Sequence, residues 1–361
     1  MVFKKAKSRF EGRKKCILFA RWFCPPQVRF SSSMRVKFWG VRGSIPSPPS
    51  SEELSSRLVE ALHRLGQDDS YLDLSDRDAI TRWVETLPHA VRSFAGGNTP
   101  CVEVSVGPHR CVFDLGTGLR ALGNEWMKNE FGRGQGHAHL FLSHLHWDHI
   151  QGWPFFHPAY IAGNRFNIYA RHDCTLERLR DQQSAPFFPP EAWGEMGAVT
   201  NFHTLPEGPI QIEDDLHLET LELEHPSLAY GFRLRAGGKT VVYASDGAYP
   251  TPNGNGPHDP ALRFVEFFRD ADLVIFDAQF SLAESIKKRA WGHSSAVIGV
   301  ELAARAGAKR LAMFHHDPSA GDARLEHLLR VSREYAARPP APCEPGAVEV
   351  LLAREGMEIE L

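Results

Sequence analysis

Apolar residues along this chain recur with two periods. Arg35-Val-Lys-Phe-Trp39 alternates polar and apolar side chains, as a half-buried strand does, and runs into a tight turn at Gly40-Val-Arg-Gly43. Similar short runs predict strands at Cys101–Val106, Arg110–Phe113, His139–Leu142, Phe166–Ala170, about 215–223, 230–235, 240–244, Val274–Phe276, Leu311–Phe314, Val348–Leu352 and Met357–Leu361. Helical spacing places Leu54, Leu58, Leu62 and Leu65 on one face over 52–66, and Ile80, Trp83, Val84 and Leu87 on one face within 76–92. This pair reads as an insertion capping the main domain. A helix carrying Leu119, Leu122 and Trp126 follows the turn Gly116-Thr-Gly118, and others are expected near 175–183, 294–306 and 322–337. Residues 151–224 read as a compact, aromatic- and proline-rich segment. Two β-rich halves, each carrying helices, predict an α/β chain of two sheets packed face to face with helices outside.

With 361 residues, 42% of them hydrophobic and 24% charged, the chain can bury a sizeable core. None of its apolar runs reaches the roughly 20 residues of a membrane helix. The net charge of -3 is unevenly spread: residues 1–33 hold nine Lys/Arg against Glu11, which leaves the remainder at -11. That basic segment is set aside as a disordered arm or a stretch outside the native chain, and residues 34–361 as the working domain. An acidic body argues against long nucleic acid as a partner, because affinity there rests on neutralising phosphates. The six cysteines are scattered without a Cys-x-x-Cys pair, which points to a reducing cytoplasm.

The chemistry concentrates in His144-Leu-His146-Trp-Asp148-His149, at the end of an apolar strand and just before Ile150 and Trp153. Three imidazoles and a carboxylate in six residues are costly to bury unpaired, and a divalent cation removes that cost. The donor set suits Zn²⁺, Mn²⁺ or Fe²⁺. A solvated polar loop is the bland alternative, and the apolar flanks speak against it.

This run resembles the His-x-His-x-Asp-His mark of the metallo-β-lactamase superfamily, and the similarity extends from about Arg35 to Leu361, apart from the 52–92 insertion. The resemblance implies a four-layer αββα sandwich and a hydrolase holding two divalent ions, with zinc expected first. It implies further metal ligands at His225, before Tyr230-Gly-Phe232; at Asp246, ending Thr240-Val-Val-Tyr-Ala-Ser; and at His315, preferred over His316. One ion would then lie on His144, His146 and His225 and the other on Asp148, His149 and His315, with Asp246 between them. Two ions about 3.5–4 Å apart can share the attacking hydroxide. The family often dimerises, so a homodimer is a further expectation.

Phe38-Trp-Gly-Val-Arg-Gly-Ser-Ile-Pro46, Gly96-Gly-Asn-Thr99 and Phe113-Asp-Leu-Gly-Thr-Gly118 are similar to the phosphodiesterase branch, which includes tRNA 3′-processing ribonucleases and cyclic-nucleotide and phosphoribosyl cyclic phosphodiesterases. Gly292-His293-Ser-Ser295 matches that branch's phosphate-contacting motif and opens a helix, where free N–H groups favour an anion. His293 is therefore read as phosphate binder or general acid, with Asp277 orienting it and Asp148 as the third catalytic residue. The plain alternatives are a helix cap and a strand-end carboxylate. Asp114 reads as a hydrogen-bond partner of a metal-binding histidine. The expected substrate is a small cyclic or nucleotide-like phosphodiester. Thioester or lactone hydrolysis, tRNA 3′-end cleavage and a non-catalytic metal-binding sensor are the competing readings.

Overall fold

A computed structural model describes residues 33–68, 72–189, 193–206, 208–250, 259–339, 343–344 and 346–361. Apart from Ser33, the basic segment 1–33 lies outside them.

The strands form two seven-stranded mixed sheets among the described residues. In the first, β1 (Met34–Gly40) lies between the last strand and β2 (Cys101–Val106), followed by β3 (His109–Phe113), β4 (His137–Leu142), β5 (Arg165–Ala170) and β6 (Val199–Thr204). The second runs from β7 (Ile210–Glu213) through β8 (Leu216–Leu223), β9 (Ala229–Ala236), β10 (Lys239–Ala244), β11 (Leu273–Asp277) and β12 (Arg310–Phe314) to β13 (Glu349–Leu352). The chain then returns to the first sheet, where β14 (Glu358–Glu360) pairs antiparallel with β1. Strands β3 to β6 are mutually parallel, as are β10 to β13.

Side-chain alternation explains the layering. Along β4, Phe141 enters the core between the sheets, while Ala138, Leu140 and Leu142 face the helices outside. Along β10, Val241 and Tyr243 point inward and Val242 and Ala244 outward. Strands buried on both faces carry apolar residues on both, as the C-terminal halves of β4 and β10 do. Phe113 stacks on Phe141 and Tyr243 in the middle of the sandwich, with ring centroids 5.3 Å apart in both cases.

Helix α1 (Ser51–Gln67) starts at a capping box made by Ser50 and Glu53, and α2 (Arg77–Thr86) starts at Asp76. The helix expected to continue to residue 92 stops at Leu87-Pro88, and a separate turn, α3 (His89–Arg92), follows. Proline disfavours helical geometry in the residue before it, which accounts for the break. Neither α1 nor α2 buries a residue, so this pair is a surface feature, tied down through Arg57, which donates to Ala90, Ser93 and Asp322.

The first sheet is covered by α4 (Gly118–Trp126) and the region around α5 (Trp147–Ile150) and α6 (Thr175–Asp181). The second is covered by α7 (Leu262–Phe268), α9 (Ala296–Arg305) and α10 (Asp322–Ala337), with α8 (Leu282–Lys287) leading toward α9. The stretch 151–224 is not one compact segment. It completes the first sheet with β5 and β6 and begins the second with β7 and β8.

Candidate metal centre

Each predicted ligand stands where the chain leaves a strand at the same end of the sandwich. His144 and His146 follow β4, with Asp148 and His149 in the short helix α5; His225 follows β8, Asp246 follows β10 and His315 follows β12. The structure brings these seven residues into two groups whose donor atoms lie within 4.8 Å of one another: His144, His146, His225 and Asp246 in one, and Asp148, His149, His315 and Asp246 in the other. His316 turns away, its Nε2 donating to Ala353 O at 2.9 Å.

The backbone is strained around this point. Ser44, Asp114, Asp246 and His315 all adopt left-handed conformations, with φ of 65°, 60°, 49° and 56°, which cost free energy outside glycine. Ser44 gains from it by directing its N–H to Asp148 Oδ2 at 2.7 Å. Gly43 is required for close approach, since a Cβ there would meet the His315 ring at 2.5 Å. Gly292 combines φ of 78° with a carbonyl that accepts from His225 Nδ1 at 3.0 Å.

Outer partners fix which nitrogen His149, His225 and His146 present. Asp114 accepts from His149 Nδ1 and from the Tyr243 hydroxyl, both at 2.7 Å, and from the Ser143 backbone N–H at 2.8 Å. His149 Nε2 then faces Asp246 Oδ1 at 3.2 Å and Asp148 Oδ2 at 3.3 Å. His315 Nε2 faces the same two carboxylates at 3.2 and 3.3 Å. His225 Nε2 and His146 Nδ1 face each other at 3.3 Å, and the other nitrogen of His146 meets Ser227 Oγ at 2.7 Å. Nothing in the sequence marks Ser44, Ser227 or Tyr243 for these tasks, because each is joined to the centre only by the fold.

Charge and burial test whether this arrangement suits metal ions. His144 and His149 are fully buried, and their Nε2 atoms have no hydrogen-bond partner. Burial pushes the His144 imidazole down, toward the neutral form that ligates a cation. At His149 burial acts the same way but is outweighed by Asp246, Asp148 and Asp114, which push its pKa well up. Burial would raise the Asp246 carboxyl too, yet His149, His315 and His144 hold it far below the usual range. Buried carboxylates therefore demand positive charge among imidazoles whose lone pairs converge. Divalent ions satisfy both requirements, and imidazole with carboxylate is the donor set of zinc and its neighbours.

Beside this centre, His293 Nδ1 donates to Asp277 Oδ2 at 2.8 Å. The His293 ring stacks on that of His315 with centroids 5.0 Å apart and lies 5.5 Å from that of His225. Burial opposes protonation of His293, but Asp277, followed by Asp246 and Asp148, raises its pKa to about 9. Both sequence-derived candidates thus meet in one dyad at the edge of the cluster.

An apolar cleft of about 710 Å³ opens next to the histidine run, lined by Leu145, Trp147, Phe155, Phe187, Phe188 and Arg178 among others. Trp147, Phe155 and Phe187 are 75%, 51% and 74% exposed, a cluster of bare aromatics of the kind that marks a binding surface.

Comparison with known proteins agrees with this geometry. A family model described as "Beta-lactamase superfamily domain" matches residues 109–316, more than half of the chain. A Ribonuclease Z of Halorubrum lacusprofundi is 30% identical over 266 residues, covering 61% of this chain and 83% of the relative. One of Haloarcula marismortui is 24% identical over 302 residues, covering 72% of this chain and 90% of the relative. Among solved structures, the metallo-beta-lactamase fold protein YhfI from Bacillus subtilis aligns with a TM-score of 0.56 at 17% identity, covering 92% of this chain and all of that one.

Proposed function

This chain belongs to the beta-lactamase superfamily, and from that premise we propose that it is a metal-dependent phosphodiesterase cleaving a small cyclic or nucleotide-like phosphodiester. The observation that carries the reading is the pair of four-residue groups sharing Asp246, with the His293–Asp277 dyad alongside. We assign His144, His146 and His225 to one ion, Asp148, His149 and His315 to the other, and Asp246 to both. Such a pair, when bound, supplies Lewis acidity and an activated water at neutral pH; zinc is the first expectation, with manganese or iron(II) served by the same donors.

The chain's own residues do the rest. His225 and His149 are held by Gly292 O and Asp114, so their reactive nitrogens point inward without reorganisation. Asp277 on its Nδ1 favours the protonated form of His293. Its Nε2–H is then free to bind a phosphoryl oxygen and to donate a proton to the departing alkoxide. Thioester and lactone hydrolysis offer no phosphate for this dyad to bind. The aromatic cleft beside Trp147 suits the non-phosphate part of the substrate, since a planar base or ribose can stack there.

A second reading, tRNA 3′-end cleavage, is favoured by the Ribonuclease Z relatives. Against it stands the excess of eleven negative charges over residues 34–361, which repels an extended polyanion. The deciding experiment compares bis(p-nitrophenyl) phosphate, 2′,3′- and 3′,5′-cyclic mononucleotides and a precursor tRNA, each with added zinc or manganese and with chelator. Chelator-sensitive turnover of small diesters that exceeds cleavage of the tRNA is the expected result. Faster cleavage of the tRNA transfers the assignment to RNA, and no phosphodiester turnover in protein holding its ions brings thioesters and lactones forward.

A further inference from the structure

A second histidine-rich cluster stands at the opposite end of the sandwich. Strand alternation puts His137 and His139 on the inter-sheet face of β4, in line with Phe141, with their ring centroids 4.9 Å apart. The centre described above follows the far end of this strand, five residues and roughly 15 Å beyond His139.

His139 is only 2% exposed. Its Nδ1 meets the Tyr169 hydroxyl at 3.3 Å, which leaves Nε2 aimed at the opposing sheet. There Glu213 Oε1 waits at 3.6 Å. That separation is too long for a hydrogen bond. It matches the spacing of two ligands on one tetrahedral ion, which at about 2.1 Å from the metal lie about 3.4 Å apart. The donor atoms of His137, His139 and Glu213 all fall within 4.8 Å of one another.

Glu213 reaches this position through an irregularity in β7. Ile210 pairs with Leu218 and Gln211 with His217, but the register then slips, so that Glu213 pairs with Leu216. Leu216 and Leu218 both point into the core between the sheets. The slip places one extra residue in β7 and turns Glu213 from the outer face to the inner one. A further contact pins the hairpin tip: Asp215 Oδ1 lies 2.7 Å from His109 Nε2 at the start of β3. Asn167 Nδ2 meets His137 Nε2 at 3.0 Å and holds that ring in place.

We propose that His137, His139 and Glu213 form a third cation site, for zinc or a similar transition metal, that staples the two sheets together away from the catalytic centre. Two imidazoles and one carboxylate disfavour magnesium and calcium, which prefer all-oxygen shells. Three protein ligands leave a fourth position for water. The site is independent of the phosphodiesterase reading.

The test is a zinc titration of chelator-stripped full-length protein, followed by calorimetry and elemental analysis, on wild type and on the variants His137→Gln, Glu213→Gln and Asp246→Ala. Wild type is expected to bind three equivalents, with a rise in melting temperature as the third site fills. His137→Gln and Glu213→Gln, both at exposed positions, should each lose one equivalent and that rise, while turnover of bis(p-nitrophenyl) phosphate stays as in wild type. Asp246→Ala should lose zinc from the catalytic centre and keep the equivalent that depends on His137 and Glu213. Zinc content in both of the first two variants equal to that of wild type would overturn the proposal. Because the titration reads zinc and not turnover, an inactive enzyme leaves its answer intact.

Discussion

At the scale of single residues, the Asp277–His293 pair is where the proposed work of the chain can be separated from that of the ions proposed beside it. His293 contacts none of the assigned carboxylates within hydrogen-bond distance, whereas its Nδ1 is committed to Asp277. His293→Ala should therefore keep the zinc content of the wild type while slowing phosphodiester cleavage by roughly 10²–10⁴, the usual worth of a general acid. Metal analysis and kcat on the same preparation decide this; wild-type turnover would return His293 to a helix-capping role. The four candidate ligands His144, His146, Asp148 and His149 were legible as a group because they fall within six residues after a strand. That His225, Asp246 and His315 would gather with them was legible only through resemblance, since single histidines and aspartates at strand ends are common. The hydrogen bond from Ser44 and that between Ser227 and His146 had no sequence signal at all, because their partners lie about a hundred and about eighty residues away.

At the scale of elements, the strands entering the centre announce themselves by apolar runs, and most boundaries fall within two residues of the expectation. The misses share a cause. β6 is half-exposed along its length and β7 has four residues, so neither builds a clear alternation. Helices α7 and α8 have seven and six residues, too few for a 3.6-residue period to accumulate. Helix α8 is held by its cap: Ser281 and Glu284 form a capping box, and Arg324 donates to Glu284 Oε2 at 2.7 Å. The Ser281 hydroxyl and Arg324 depress the Glu284 carboxyl to about 2, from an ordinary 4.5. A depressed carboxyl contributes stability above its unfolded pKa and loses it as the pH falls through the folded one. Glu284→Gln should thus lower stability by about 1 kcal/mol or less at pH 7, the side chain being partly solvated. Denaturant melts should show that gap narrowing between about pH 4.5 and 2; a gap independent of pH would mean that the carboxylate charge contributes nothing.

At the scale of the whole molecule, the two sheets bring candidate ligands from four separate strand ends to one point, and no local segment contains the site. Two sheets with helices outside were legible from β-rich halves carrying helices, and the four-layer αββα order from the resemblance; the core clusters on both faces of the sheets show why. The crossing of 151–224 from one sheet to the other was not legible, since composition in that stretch reports aromatics but not partners. Among the described residues no helix is long and apolar enough to cross a membrane. The central claim is that two ions sharing Asp246 perform the hydrolysis, and Asp246→Ala, assayed for zinc content and for bis(p-nitrophenyl) phosphate turnover beside wild type, tests it most directly. The account predicts that the variant loses zinc and hydrolysis together, with its fold intact by circular dichroism. A folded variant that keeps its full zinc content and its turnover would contradict the shared ligand and the mechanism built on it.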